Sequence, residues 1–178
     1  MFPVKGFDEK RKTSKKIVFT AVLAASLTAG KFILSHIPNV EVITFFIVMY
    51  SVVFGIGVSL PAVLIFCAVE GFLYGLQYYL VTYFVYWPLL ALFAYLISKK
   101  TQKFWIFSIY AVMMTIFFGL LSTFIDTLFL TNGFSTRFFV IRYFNGIIFY
   151  ITQIVCNAVL FPTAFDPVKK ILTRLPSN

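Results

Sequence analysis

Six apolar runs dominate the chain, at roughly 17–37, 42–58, 60–80, 83–97, 104–125 and 146–168, and the joints between them carry most of the polar residues. A bilayer's hydrocarbon core takes ~20 mainly apolar residues per helical crossing, and in lipid a helix satisfies its own backbone hydrogen bonds. The pattern therefore predicts an all-α membrane protein, a bundle of six transmembrane helices. Composition agrees: 61% of the 178 residues are hydrophobic and 12% are charged, about half the charge of an ordinary soluble domain. The length leaves room for one bundle and no separate soluble module. The expected organisation is a basic segment at 1–16, a helical domain at 17–172 and a short tail at 173–178.

Lysines and arginines set the orientation. Twelve of the fifteen basic residues fall in three blocks: Lys5, Lys10, Arg11, Lys12, Lys15 and Lys16; Lys99, Lys100 and Lys103; Lys169, Lys170 and Arg174. Six crossings put all three blocks on one side, and the positive-inside rule makes that side cytoplasmic, with both termini. This accounts for the net charge of +9 without nucleic acid as a partner. The expected location is a cell membrane, crossed several times, of the prokaryotic plasma-membrane type. The start of the chain also has the ingredients of a signal peptide, a basic opening followed by an apolar stretch and "LTAG". Leu27 then stands where a small residue is wanted, and removal leaves five crossings that separate the second and third basic blocks. The first run is read as a retained helix.

Under this topology six charges of mixed sign gather toward the outer end: Lys31, Glu41, Glu70, Asp126, Arg137 and Arg142. An ionised side chain at membrane depth is costly and faces a protein interior or a wet cavity. Lys31 in "LTAGKFIL" and Glu70 in "FCAVEGFLYG" can pair to fix helices 1 and 3, or form the floor of an outward-facing cavity. Lys31 can also snorkel to the outer headgroups. Asn145, Tyr150, Gln153 and Asn157 line helix 6, the last three at i, i+3 and i+7, one helical face. That face serves as interhelical glue or as a cavity wall. Tyr74, Gln77, Tyr78, Tyr79, Tyr83, Tyr86 and Trp87 belong to an aromatic turn between helices 3 and 4. Such rings mark a membrane interface and also offer stacking surfaces to a flat organic ligand. In "HIPNVEVITFF", Pro38 ends a helix, His36 is a helix-end residue, and Asn39 and Glu41 are rim contacts of the proposed site.

Catalysis and metal binding find little support. His36 is the chain's single histidine and sits at a loop edge, so no serine–histidine pair is expected, and a paired-glutamate protease motif is absent. Cys67 and Cys156 lie inside apolar runs, where thiols behave as small hydrophobes. No Gly-x-x-x-x-Gly-Lys-Ser/Thr phosphate loop occurs. The chain is not expected to be an enzyme or to carry a cofactor.

Helix 1 reads "KIVFTAVLAASLTAG", with Ala21, Ala25 and Ala29 at i, i+4 and i+8, a smooth stripe that lets another helix approach closely. With the basic N-terminus, "IPNVEVITFFIVMYSVVFG", "EGFLYGLQYYLVTYFVYWPLLALFAYLISKK" and "FNGIIFYITQIVCNAVLFP", it resembles the substrate-binding S components of energy-coupling factor (ECF) vitamin transporters. The resemblance covers most of the chain; residues 128–142 fit it least. It implies a vitamin-capture subunit that works with a transmembrane coupling subunit, docked on the Ala-x-x-x-Ala stripe, and two ATPase subunits that hydrolyse ATP. It places the pocket in connections 38–42, 76–83 and 126–145 and at the outer ends of helices 4 to 6. Lys31, Asn39, Glu41, Glu70, Gln77, Tyr78, Tyr83, Trp87, Arg142, Asn145, Gln153 and Asn157 are the expected substrate contacts. The vitamin itself is left open among cobalamin, a pyridoxine-type compound and pantothenate. A long, charge-poor fifth connection favours cobalamin. The competing reading is a non-catalytic membrane scaffold of cell-envelope assembly.

Overall fold

A computed structural model describes the backbone of residues 5–34 and 41–175, with side chains from residue 13 onward. Its described residues form six helices: α1 (Lys5–Leu34), α2 (Ile43–Phe54), α3 (Ile56–Tyr74), α4 (Tyr79–Ser98), α5 (Phe104–Leu130) and α6 (Thr136–Leu172). All but α2 are long and apolar enough to cross a membrane. The multi-pass, all-helical expectation holds. His36, Pro38 and Asn39 lie outside the described residues.

The short helix organises the rest. At 1.5 Å per residue the twelve residues of α2 rise about 18 Å, well short of a hydrocarbon core about 30 Å thick. Yet α2 touches each of the other five helices, while α1, α3, α4, α5 and α6 pack in that order around it. Ile47, Val48 and Met49 are fully buried, so α2 is apolar all round, as a central helix must be. Among the described residues α1 and α6 do not meet, leaving one side of the bundle open. The run expected at 42–58 is cut by Gly55, whose φ of +74° is open to glycine at no steric cost. The chain reverses there directly into α3.

The connection expected at 126–145 is corrected. Helix α5 continues to Leu130 and α6 starts at Thr136, so the joint spans 131–135 alone. Ser135 caps α6 by accepting from the Phe138 N–H at 3.4 Å, and Gly133 takes a φ of +153° in the turn. "RFFVIRYFN" is helical although Arg137 and Arg142 interrupt its apolar run. Arg142 is neutralised from α5 by Asp126, with Nε and Nη2 both 2.9 Å from Oδ2. The charge that looked like a loop signal is one half of an interhelical pair. The basic segment 1–16 and the first crossing likewise belong mainly to one helix, α1, from Lys5 on.

The two ends of the bundle differ in charge. Lys16 Nζ lies 3.5 Å from where a Cβ on Gly57 would stand, at the α2–α3 turn. Tyr95 packs against Gly55 in the same turn and carries Lys99 Nζ 4.6 Å from its ring centre. Lys169 donates to Gln102 in the α4–α5 turn. The three basic blocks thus share one end. Lys31 with Glu70 and Arg142 with Asp126 lie toward the other.

Candidate functional site

Three helices build a polar cluster near that second end. In α3, Phe66, Glu70 and Tyr74 recur at i, i+4 and i+8, and in α4 Tyr79, Tyr83 and Trp87 do the same. Each set therefore shares one helical face. Lys31 enters between them from the last turn of α1, where a cation also suits the helix dipole. Its ammonium pairs with Glu70 and donates to the Tyr83 hydroxyl at 3.1 Å. The same ammonium stands 4.6, 5.5 and 5.9 Å from the ring centres of Tyr83, Tyr74 and Phe66, within cation–π range. The carboxylate is 1% exposed and the lysine 29% exposed. Burying one of these charges without the other would be severely unfavourable.

The α4 rings form a continuous wall. Tyr79 meets Tyr83 edge-on at 5.3 Å and Tyr83 meets Trp87 at 5.9 Å. Trp87 in turn contacts Phe66 at 6.3 Å and stacks on Phe118 of α5 at 6.2 Å. Two polar atoms of this wall, the Tyr79 hydroxyl and the Trp87 indole nitrogen, are buried without a hydrogen-bond partner among the described residues. Native structures rarely leave such groups unpaired.

Glu41 stands beside the cluster with a structural task. Its Oε1 accepts from the Thr44 N–H and the Thr44 hydroxyl, both at 2.9 Å, satisfying an orphan donor at the start of α2. Burial pushes the Glu41 carboxyl above its ordinary range, against the opposing pull of the two Thr44 bonds and the Lys31 charge.

The other expected contacts scatter. Tyr78 stacks on Phe129 at 6.2 Å, and Gln77 lines an otherwise mainly apolar groove with Leu76, Val81, Phe84 and Phe129. Arg142 belongs to the α5–α6 pair described above. Asn157, fully buried, donates to Thr115 at 3.1 Å and joins the same two helices. Asn145 is exposed and Gln153 half-buried on α6. The structure therefore brings Lys31, Glu70, Tyr83 and Trp87 together. It adds Tyr74 and Tyr79, which belong to the aromatic turn of the sequence but not to the expected contacts, and Phe66, which the sequence reading did not single out. The four-residue spacing around Glu70 and Tyr83 is the signal that could have found them.

Ala21, Ala25 and Ala29 are exposed on α1. With Ala24, Thr28 and Phe32, and with Ile65 and Val69 of α3, they line a shallow groove on the outside of the bundle. No protein family, curated protein or solved structure matches the chain.

Proposed function

We propose that this protein is the substrate-capture subunit of an ECF-type importer. It takes up a vitamin or cofactor precursor and is served by a transmembrane coupling subunit and two ATPase subunits. The observation that carries the reading is the Lys31–Glu70 pair walled by aromatic rings, at the end opposite the basic blocks. The positive-inside rule directs the basic end to the cytoplasm, so the cluster faces outward, where a nutrient arrives. The exposed Ala21–Ala25–Ala29 stripe supports the second half of the reading, since small residues on a lipid-facing groove suit close helix docking.

The preference for cobalamin loses its ground, because the fifth connection is short. The test is mass spectrometry of small molecules released from the purified protein. A stoichiometric vitamin-class compound supports the proposal. Release of none, together with no binding of any added vitamin, overturns it in favour of the membrane scaffold.

A further inference from the structure

Hydrogen-bonding capacity at the α1–α3–α4 cluster is unequally divided. An ammonium has three donors, an indole one, and each phenol one donor together with acceptor capacity. Lys31 directs one donor to Glu70 and one to Tyr83. The Tyr83 oxygen is thereby used as an acceptor, and among the described residues its own proton meets no acceptor. The Tyr79 hydroxyl and the Trp87 N–H are buried and unpartnered. Tyr79 meets Tyr83, the hydroxyl partner of the lysine, edge-on at 5.3 Å. Glu70, the carboxylate of this cluster, accepts from the lysine through Oε2. Along the Tyr79–Tyr83–Trp87 face itself three N–H and O–H protons are thus unspent, against acceptor capacity on the two phenol oxygens alone, one of which already accepts from Lys31.

Charge narrows the choice further. Lys31 is the cation of the aromatic cage, so that position is filled from within the chain. Lys31 and Glu70 balance each other, so an added ion of either sign meets no unpaired countercharge at the pair. We propose that the Tyr79–Tyr83–Trp87 face binds a neutral flat ring carrying carbonyl oxygens, an amide or imide type of acceptor. Its ring stacks on the aromatic wall and its oxygens take the free donors. This rests on the capture reading above and specifies its substrate class.

One ring in three charge states provides the probe. Nicotinamide is neutral with a carbonyl, nicotinate is its anion-bearing counterpart, and 1-methylnicotinamide adds a fixed positive charge. Each is titrated calorimetrically into the full chain in detergent, then into Tyr79→Phe and Trp87→Phe, which keep a ring and remove a donor. The expected result is that nicotinamide binds most tightly and weakens roughly 5-fold in each variant, the worth of one ordinary hydrogen bond. The ligand-free melting temperature of Tyr79→Phe should not fall, because no internal bond is lost. A drop there means that the hydroxyl has a structural partner and overturns the assignment. Tightest binding of the methylated cation or of nicotinate overturns it too, as does binding unchanged in both variants. Absence of binding by all three also overturns it. Whether a vitamin-class compound is released in mass spectrometry independently decides if the capture reading survives.

Discussion

Lys31 and Glu70 are each unfavourable alone at their depth, and together they hold α1 against α3 and α4. Removing one partner leaves the other charge stranded, a loss of about 3–5 kcal/mol for a buried pair. Lys31→Met should therefore lower the melting temperature in detergent sharply. The double variant Lys31→Met with Glu70→Gln should recover most of the loss, because no ion is left in the interior. A double variant no better than the single would show that the lysine acts through its packing. Glu41 gives a pH signature at the same scale. Its proton is held more tightly in the folded chain than in the unfolded one, so in the intervening window the folded state binds more protons. Stability should be highest below the unfolded carboxyl's ordinary range and decline as pH rises through the folded value. Glu41→Gln should flatten that decline in thermal melts across the mildly acidic range.

Among the described residues, the α1 backbone packs beside α2 and α3 and α1 reaches α4 through the Lys31–Tyr83 bond, and it carries the exposed alanine stripe. Replacing Ala21 and Ala25 by leucine should leave the melting temperature and vitamin binding unchanged, since neither side chain is buried. Transport by the assembled complex should be abolished, as measured by uptake into proteoliposomes. Loss of binding would instead mean that the stripe supports the fold. The α5–α6 hairpin is the contrasting case. Tyr150 of α6 lies over Gly119 and Gly146, with ring atoms 3.1 Å from where a Cβ on Gly119 would stand. Its hydroxyl lies 3.3 Å from that of Thr123. Arg142–Asp126 and Asn157–Thr115 complete a polar seam. The i, i+3, i+7 spacing of Tyr150, Gln153 and Asn157 makes a shared helical face legible, open in the sequence between interhelical glue and a cavity wall. That its partner is α5 is not legible, because Thr115 and Thr123 are unremarkable within a single apolar run and Asp126 reads as a charge of the following connection.

For the whole molecule the decisive asymmetry is electrostatic. Gln102 lies among the basic blocks and Gly133 in the turn between α5 and α6 at the opposite end. In a Cys156→Ser background, Gly133→Cys should react with a membrane-impermeant maleimide in intact cells, and Gln102→Cys should react only after permeabilisation. The reverse pattern would invert the topology and place the Lys31 cluster on the cytoplasmic side. Inversion would also remove the capture reading, since a nutrient-facing site must open outward.

The sequence by itself determined that the chain is helical, that it belongs in a membrane, and that its basic blocks share one end. These properties follow from apolar run length and from charge placement, which are written locally. Only the tertiary structure decided that α2 is a short central helix, that "RFFVIRYFN" extends α6, and that Phe66, Tyr74 and Tyr83 surround Lys31. Each depends on a partner distant in the chain. Asp126 makes Arg142 compatible with a helix, and five surrounding helices make α2's uniform apolarity useful. Glu70 and Tyr83 make Lys31 part of a site, where alone it would be a lysine near a helix end. Run length is a property of neighbours in sequence, whereas neutralised charge and shared burial arise only when separate helices meet.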